Sequence, residues 1–222
     1  MTPYNVVRDF EQALCDYTGA PYAVTTNSCT MAILLAMRYM RLYSHSVEKG
    51  MWTEGWNDGD YGAIVGPYIV IPRRTYVSVP MSIIHAECNV RFLDYKWKGA
   101  YRLKPSPVFD SARRFFSLMY NSGEYQCVSF HASKILGDTQ GGAILHDDPV
   151  ADKWFRKARF DGRTEGVHPA DDTFDTLGYH CYMSPDVAAR LHLKLSVLPK
   201  FNEDLPNDDY PDLSKMEIFR GR

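Results

Sequence analysis

The stretch PVFDSARRFFSLMYNSGEYQCVSFHASKILGDTQGGAILH, residues 107–146, holds three short apolar runs: PVFD (107–110), CVSFH (127–131) and GGAILH (141–146). None of them is suited to having one wet face. Each therefore reads as a strand buried on both sides, which is what a sheet covered by helices requires.

The same alternation of strand-like and helical segments continues outward. Upstream lie a β-prone run at 23–26, YIVIP (68–72), a helical stretch around VPMSIIHAE and VRFLDY (90–95). A first helix is expected from Asn5 as N-cap, with Val6, Phe10, Ala13, Leu14 and Tyr17 at helical spacing and Gly19 placed to end it. The segment Met31 to Leu42 is apolar on nearly every side, so its helix must be largely buried. Downstream, one helix spans roughly 149–160. A second begins with Ser184 as N-cap and Pro185 at the first helical position, and stops near Pro199. The expected fold class is α/β, with three α/β/α layers around a mainly parallel sheet. Residues 44–66, with five glycines and two tryptophans, read as a surface excursion, and Asn202–Asp212 as an extended or mobile tail with Ile218 and Phe219 free to dock.

Composition bounds the function. A chain of 222 residues makes one sizeable domain, or a domain with an appendage. With 25 basic and 27 acidic side chains the net charge is −2, which offers no excess of base to set against a phosphate backbone. No nucleic-acid partner is expected. Hydrophobic residues at 45% argue against disorder, and no apolar run approaches the roughly 18 residues of a membrane span. Five cysteines, at 15, 29, 88, 127 and 181, are odd in number, widely spaced and without a CxxC pair. They read as free thiols in a reducing, cytoplasmic setting, and no metal site is expected.

Three features fall where an α/β protein places its ligands, at the carboxyl ends of strands. The first, Asn27-Ser28-Cys29-Thr30, lies between a strand and the buried helix, where amides, hydroxyls and the helix dipole converge on an anion such as phosphate. On spacing alone, Ser28 or Thr30 simply capping the helix is the alternative. The second is Asp110 at the end of PVFD. The third is Ser129-Phe130-His131-Ala132-Ser133-Lys134, a lysine a few residues beyond a buried strand and just before GDTQGG.

Together and in this order, these elements resemble the DegT/DnrJ/StrS-type sugar aminotransferases, which use pyridoxal 5'-phosphate (PLP) in an aspartate-aminotransferase-like fold. SCTMAI looks like the family's SGT-x-AL, and IPRRTYVSVPMSIIHAECNVRFLDY like its IP-x-x-TF-x-AT segment and the strand that follows. VFDSARR matches ED-A-A-(His/Gln), VSFHASK matches FSFH-x-x-K, GDTQGGAIL matches the GEGG turn, and GYHCYMSPDVAA resembles GYN-x-RM-(Ser/Thr)-D-x-x-AA.

The resemblance implies that Lys134 is the Schiff-base lysine and, once released, a proton shuttle, and that Asp110 pairs with the pyridinium nitrogen. It implies that Thr30 and Ser129, with the amides of Ser28 and Cys29, hold the phosphate, that Tyr76 stacks on the ring, and that Arg113 borders it where relatives carry His or Gln. His180 stands at an Asn position that in relatives reaches the neighbouring subunit's phosphate. Cys29 replaces the glycine of SGT, Gln140 the glutamate of GEGG, and Tyr182 the Arg of GYN-x-R. Only 16 positions separate Asp94 from Asp110, too few for the strand and helix that relatives carry there.

The domains expected on this basis are a PLP-binding large domain at 1–198 and a tail at 199–222, with the small C-terminal domain mostly absent. The implied function is transfer of an amino group from an amino acid to a keto group of a nucleotide-linked sugar. The alternative is a degenerate PLP-fold protein that binds cofactor or a phosphorylated ligand without turnover. A homodimer with its site at the subunit interface is expected, with the Met31–Leu42 helix and Trp52, Trp56 and Tyr61 offering interface area.

Overall fold

Residues 4–43, 68–207 and 210–220 are described by the computed structural model, so the 44–66 excursion with Trp52, Trp56 and Tyr61 lies outside the described residues. In chain order the elements are α1 (Asn5–Thr18), β1 (Tyr22–Thr26), α2 (Cys29–Tyr43), β2 (Tyr68–Pro72), α3 (Ser78–His85), β3 (Asn89–Leu93), β4 (Tyr101–Arg102), β5 (Val108–Asp110), β6 (Tyr125–Ser129), β7 (Gly142–His146), α4 (Pro149–Ala158) and α5 (Pro185–Ser196). Gly19 ends α1 as the spacing predicts: at φ 80° it takes the left-handed conformation and donates its amide to the Cys15 carbonyl. Asn5 is the first helical residue rather than the cap, which is Tyr4.

The strands form a five-stranded sheet in the order β1-β7-β6-β5-β4 and a parallel pair, β2-β3. The antiparallel bridge between Val70 and Lys104 joins the two. Pairing directions put β1, β2, β3, β5 and β6 one way and β4 and β7 the other. The sheet is therefore mixed rather than mainly parallel, because each reversed strand sits between strands of the majority direction. The connection shows the difference: β7 returns from β6 through residues 130–141 with no helix among them, whereas a parallel crossover usually carries one. A continuous apolar run reports burial on both faces and carries no sign of direction.

Side-chain alternation along these strands divides the core in two. Val128, Ala143 and Leu145 pack with Phe10 and Leu14 of α1 and Leu191 and Leu195 of α5. Cys127 and Ile144 point the other way, toward Ile33, Leu35 and Met37 of α2 and Phe155 of α4. Each large side chain so buried contributes about 1.5–3 kcal/mol. Three layers result, as expected. Helix α2 buries Ala32 through Met37, Tyr39 and Met40 within its own chain. Most of its apolar surface is used in the core, and Leu42 and Tyr43 at its C-terminal end stay exposed.

The tail is extended but packed. Leu205 donates its amide to the Arg113 carbonyl and Leu213 donates to Arg73, while Asp204 meets Arg114 at 2.6 Å. Phe219 docks edge-on against Phe92 and is buried, but Ile218 remains exposed. No helix among the described residues is long and apolar enough to cross a membrane.

Candidate active site

The first wall of the site is the turn from β1 into α2. The hydroxyl of Ser28 accepts the Met31 amide at 3.2 Å, so this side chain does cap the helix, leaving backbone amides at the helix N-terminus to face an anion. The Thr30 hydroxyl lies 2.8 Å from that of Ser78, a partner on α3 that sequence reasoning did not single out. Gly142 backs the turn from β7. A Cβ there would collide with the backbone nitrogen of Cys29 and the carbonyl carbon of Ser28, so only glycine lets the two loops meet.

Antiparallel pairing of β1 with β7 places this turn beside the loop 130–141, which carries Lys134. Phe130 donates to the Gly141 carbonyl and Asp138 to the Phe130 carbonyl, closing the loop on itself. The carboxylate of Asp138 is held by Arg190 at 3.0 Å and Lys194 at 2.9 Å, and those hydrogen bonds keep it below the usual carboxylate range. The lysine's loop is thus tied to α5.

Asp110 ends β5, and it is 3% exposed. Burial pushes its carboxyl above the ordinary aspartate value, against the Ala112 amide at 3.0 Å, the Tyr101 hydroxyl and the charges of Lys134 and Arg113, which pull it down. Tyr101 is itself fixed by the Thr75 hydroxyl at 2.6 Å. Burial, with Asp110 close by, also drives the Cys29 thiol well up, so it sits in the turn as a neutral group.

These walls enclose a cavity of about 330 Å³. Ser28, Cys29, Thr30, Tyr76, Asp110, Arg113, Ser129 and Lys134 all line it. The structure thus brings together eight of the nine residues singled out from sequence. The ninth, His180, does not line the cavity. Its side chain is 73% exposed, 3.0 Å from the Asp161 carboxylate and edge-on to Tyr182. Trp97 and Tyr210 also line the cavity and were not anticipated. Trp97 lies in a segment without periodicity, and Tyr210 in an acidic tail that reads as solvated. No group of three acidic, histidine or cysteine side chains among the described residues is arranged to hold a metal ion.

Comparison with known proteins shows the family and the fold. The model of the DegT/DnrJ/EryC1/StrS aminotransferase family matches residues 1–108 and 119–205. No curated protein matches the chain. Among solved structures, DesV from S. venezuelae is similar over 87% of this chain and 57% of its own, at 16% identity and a TM-score of 0.63. A DegT DnrJ EryC1 StrS aminotransferase from Brucella abortus gives 87% and 58%, at 17% identity and a TM-score of 0.63. The sugar aminotransferase CalS13 from Micromonospora echinospora gives 86% and 60%, at 16% identity and a TM-score of 0.61. The chain spans 57–60% of the length of these structures, which show its fold.

Proposed function

The chain belongs to the DegT/DnrJ/EryC1/StrS aminotransferase family, and from that premise we propose that it is a PLP-dependent aminotransferase moving an amino group from an amino acid to a keto group of a nucleotide-linked sugar. The observation that carries the reading is one cavity holding a buried carboxylate, Asp110, a lysine, Lys134, and the amide-rich N-terminus of α2. That donor set fits pyridoxal 5'-phosphate. A buried carboxyl pushed above its ordinary value is stabilised by a cation, and a pyridinium nitrogen is one. When bound, the cofactor supplies an electron-accepting ring and a carbonyl that carries the amino group between substrates.

The chain's residues do the rest. The amides of Ser28 and Cys29, with the hydroxyls of Thr30 and Ser129, hold the phosphate against the positive end of α2. Tyr76 covers one face of the ring, Arg113 borders it, and Asp110 keeps the ring nitrogen protonated. Lys134 first anchors the cofactor and then moves a proton at the substrate carbon through its Nζ, since it is the nearest base.

A sugar acceptor is supported by relatives such as CalS13, which is itself a sugar aminotransferase, and by PseC of Helicobacter pylori, an aminotransferase involved in the biosynthesis of pseudoaminic acid. The exposed position of His180, away from its own chain's cavity, supports a homodimer in which that residue serves the neighbouring site. Five free cysteines support a reducing, cytoplasmic setting. The large domain at 1–198 supplies these site residues, and the tail adds Tyr210.

Protein incubated with PLP should gain a visible absorption band, and borohydride should fix the cofactor on Lys134, identified by peptide mass. A Lys134→Ala variant that gives the same band and label would sink the assignment. Retained PLP with no reaction toward any amino donor would favour binding without turnover.

A further inference from the structure

A carboxylate buried away from water tends to take up a proton, and a neutral acid does not stabilise a pyridinium. Asp110, 3% exposed, has that task in the reading above, on which the following rests. We propose that Tyr101 is its positioning residue: the phenol hydroxyl, itself held by Thr75, donates to the Asp110 carboxylate and fixes the group that meets the cofactor's ring nitrogen.

Strand register brings the two side chains together. In the antiparallel pair β4–β5, Tyr101 stands directly opposite Asp110. Residues so opposed leave the sheet on the same face, with Cβ atoms about 4.5–5.5 Å apart. The Tyr101 ring is buried, and its centre lies 4.6 Å from that of Trp97, whose indole donates to the Arg74 carbonyl at 2.9 Å. The phenol therefore arrives from a fixed direction. Its oxygen is 2.6 Å from the hydroxyl of Thr75, which is fully buried between β2 and α3. An ionised carboxylate only accepts, so the Tyr101 proton goes to Asp110 and the Thr75 proton to Tyr101. The Ala112 amide donates to Oδ1 of the same carboxylate at 3.0 Å.

The other groups around Asp110 act differently. Lys134 and Arg113 reach it as charges, while the thiols of Cys29 on α2 and Cys127 on β6 are driven well up by burial and by Asp110 itself, so they stay neutral. Tyr101 pulls the Asp110 carboxyl down against its burial through a hydrogen bond. A neutral donor steadies the anion in one orientation without cancelling its charge. That leaves the charge for the ring nitrogen.

The test reads Asp110 directly, before any PLP is added. In protein labelled with carbon-13 at the aspartate carboxyls, the Asp110 signal is the one that Asp110→Asn removes, and NMR follows its acid midpoint. Tyr101→Phe keeps the ring and removes the hydroxyl, so the midpoint should rise by about one pH unit. An unchanged midpoint overturns the proposal. Loaded with PLP, the same variant should slow the single-turnover reaction with an amino donor about tenfold. In an Asp110→Asn background it should add less than about twofold, because it acts through that carboxylate. Equal slowing in both backgrounds, or none in either, overturns the positioning role. Thr75→Val should raise the midpoint by a smaller amount, and it carries the test if Tyr101→Phe does not fold; a wild-type midpoint there overturns the relay. No PLP uptake by the wild type, measured by ultrafiltration, refutes the cofactor reading and the ring-nitrogen role with it, whereas the midpoint separately decides the hold of Tyr101 on Asp110.

Discussion

Two buried carboxylates, on opposite sides of the sheet, are treated in opposite ways. Glu11 of α1 is 4% exposed and meets Arg159 in a short contact, Arg156 at 2.7 Å, and the Thr25 amide and hydroxyl at 2.9 and 2.8 Å. Burial alone would push its carboxyl up, but the charges of Arg159 and Arg156 outweigh that and bring it down to about 2. Asp110 is equally buried, yet burial prevails there and its carboxyl is raised. Glu11 is saturated by its own chain and ties α1 to β1 and α4. Asp110 has one amide and one phenol at hand and feels Lys134 and Arg113 only as nearby charges, so its burial is not offset; in the proposed function a cofactor cation would complete it. A buried acid with a full set of cationic partners marks structure, and one without it marks a site.

Replacing Glu11 with Gln should break the structural side of this contrast most visibly. It leaves Arg156 and Arg159 without their shared anion, and unfolding in urea should show a loss of about 3–5 kcal/mol. A loss below about 1 kcal/mol would mean that the network is not a structural device.

Asp110→Asn should do the reverse. Its oxygen can still accept from Ala112, and the neutral group no longer resists burial, so stability should stay level or rise by up to about 1 kcal/mol. The single-turnover reaction with an amino donor should nevertheless slow about 100-fold or more, because a neutral amide does not hold the ring nitrogen protonated. Equal rates, or destabilisation on the scale of Glu11, would remove the distinction.

The mildest test is pH. Because the folded-state value of Glu11 is depressed, its contribution is fully present above the unfolded value of 4.5 and is lost as pH falls toward about 2. Asp110 has the opposite sign: its ionisation costs stability above its ordinary value, and acid relieves that cost. Glu11→Gln should therefore flatten the acid limb of the stability profile, whereas Asp110→Asn, by removing an opposing contribution, should leave that limb as steep or steeper.

Local chemistry explains what could be read in advance. YIVIP at 68–72 coincides with β2, the Ser184-Pro185 pair opens α5, and the three strand-end turns that carry Ser28, Asp110 and Lys134 do converge. Each of these is written in contiguous residues. What escaped notice depends on partners far away in sequence. Glu11 meets Arg159 across 148 positions, and Arg113 meets Tyr210 across 97, and neither pair leaves a periodic trace. The reversal of β7 is hidden for a related reason: a strand buried on both faces looks the same in either direction.

The edge position of β1 sets the order of assembly during synthesis. Its strand partner is β7, whose first residue, Gly142, comes 116 positions after Thr26. At about 5–20 residues per second on the ribosome, β1 waits roughly 6–23 s for that partner. The helix packed beside it, α1, waits longer still for α5. The turn at Ser28 and Cys29, backed by Gly142, is therefore completed only once β7 has emerged, and a phosphate bound there as proposed would have no finished seat before then.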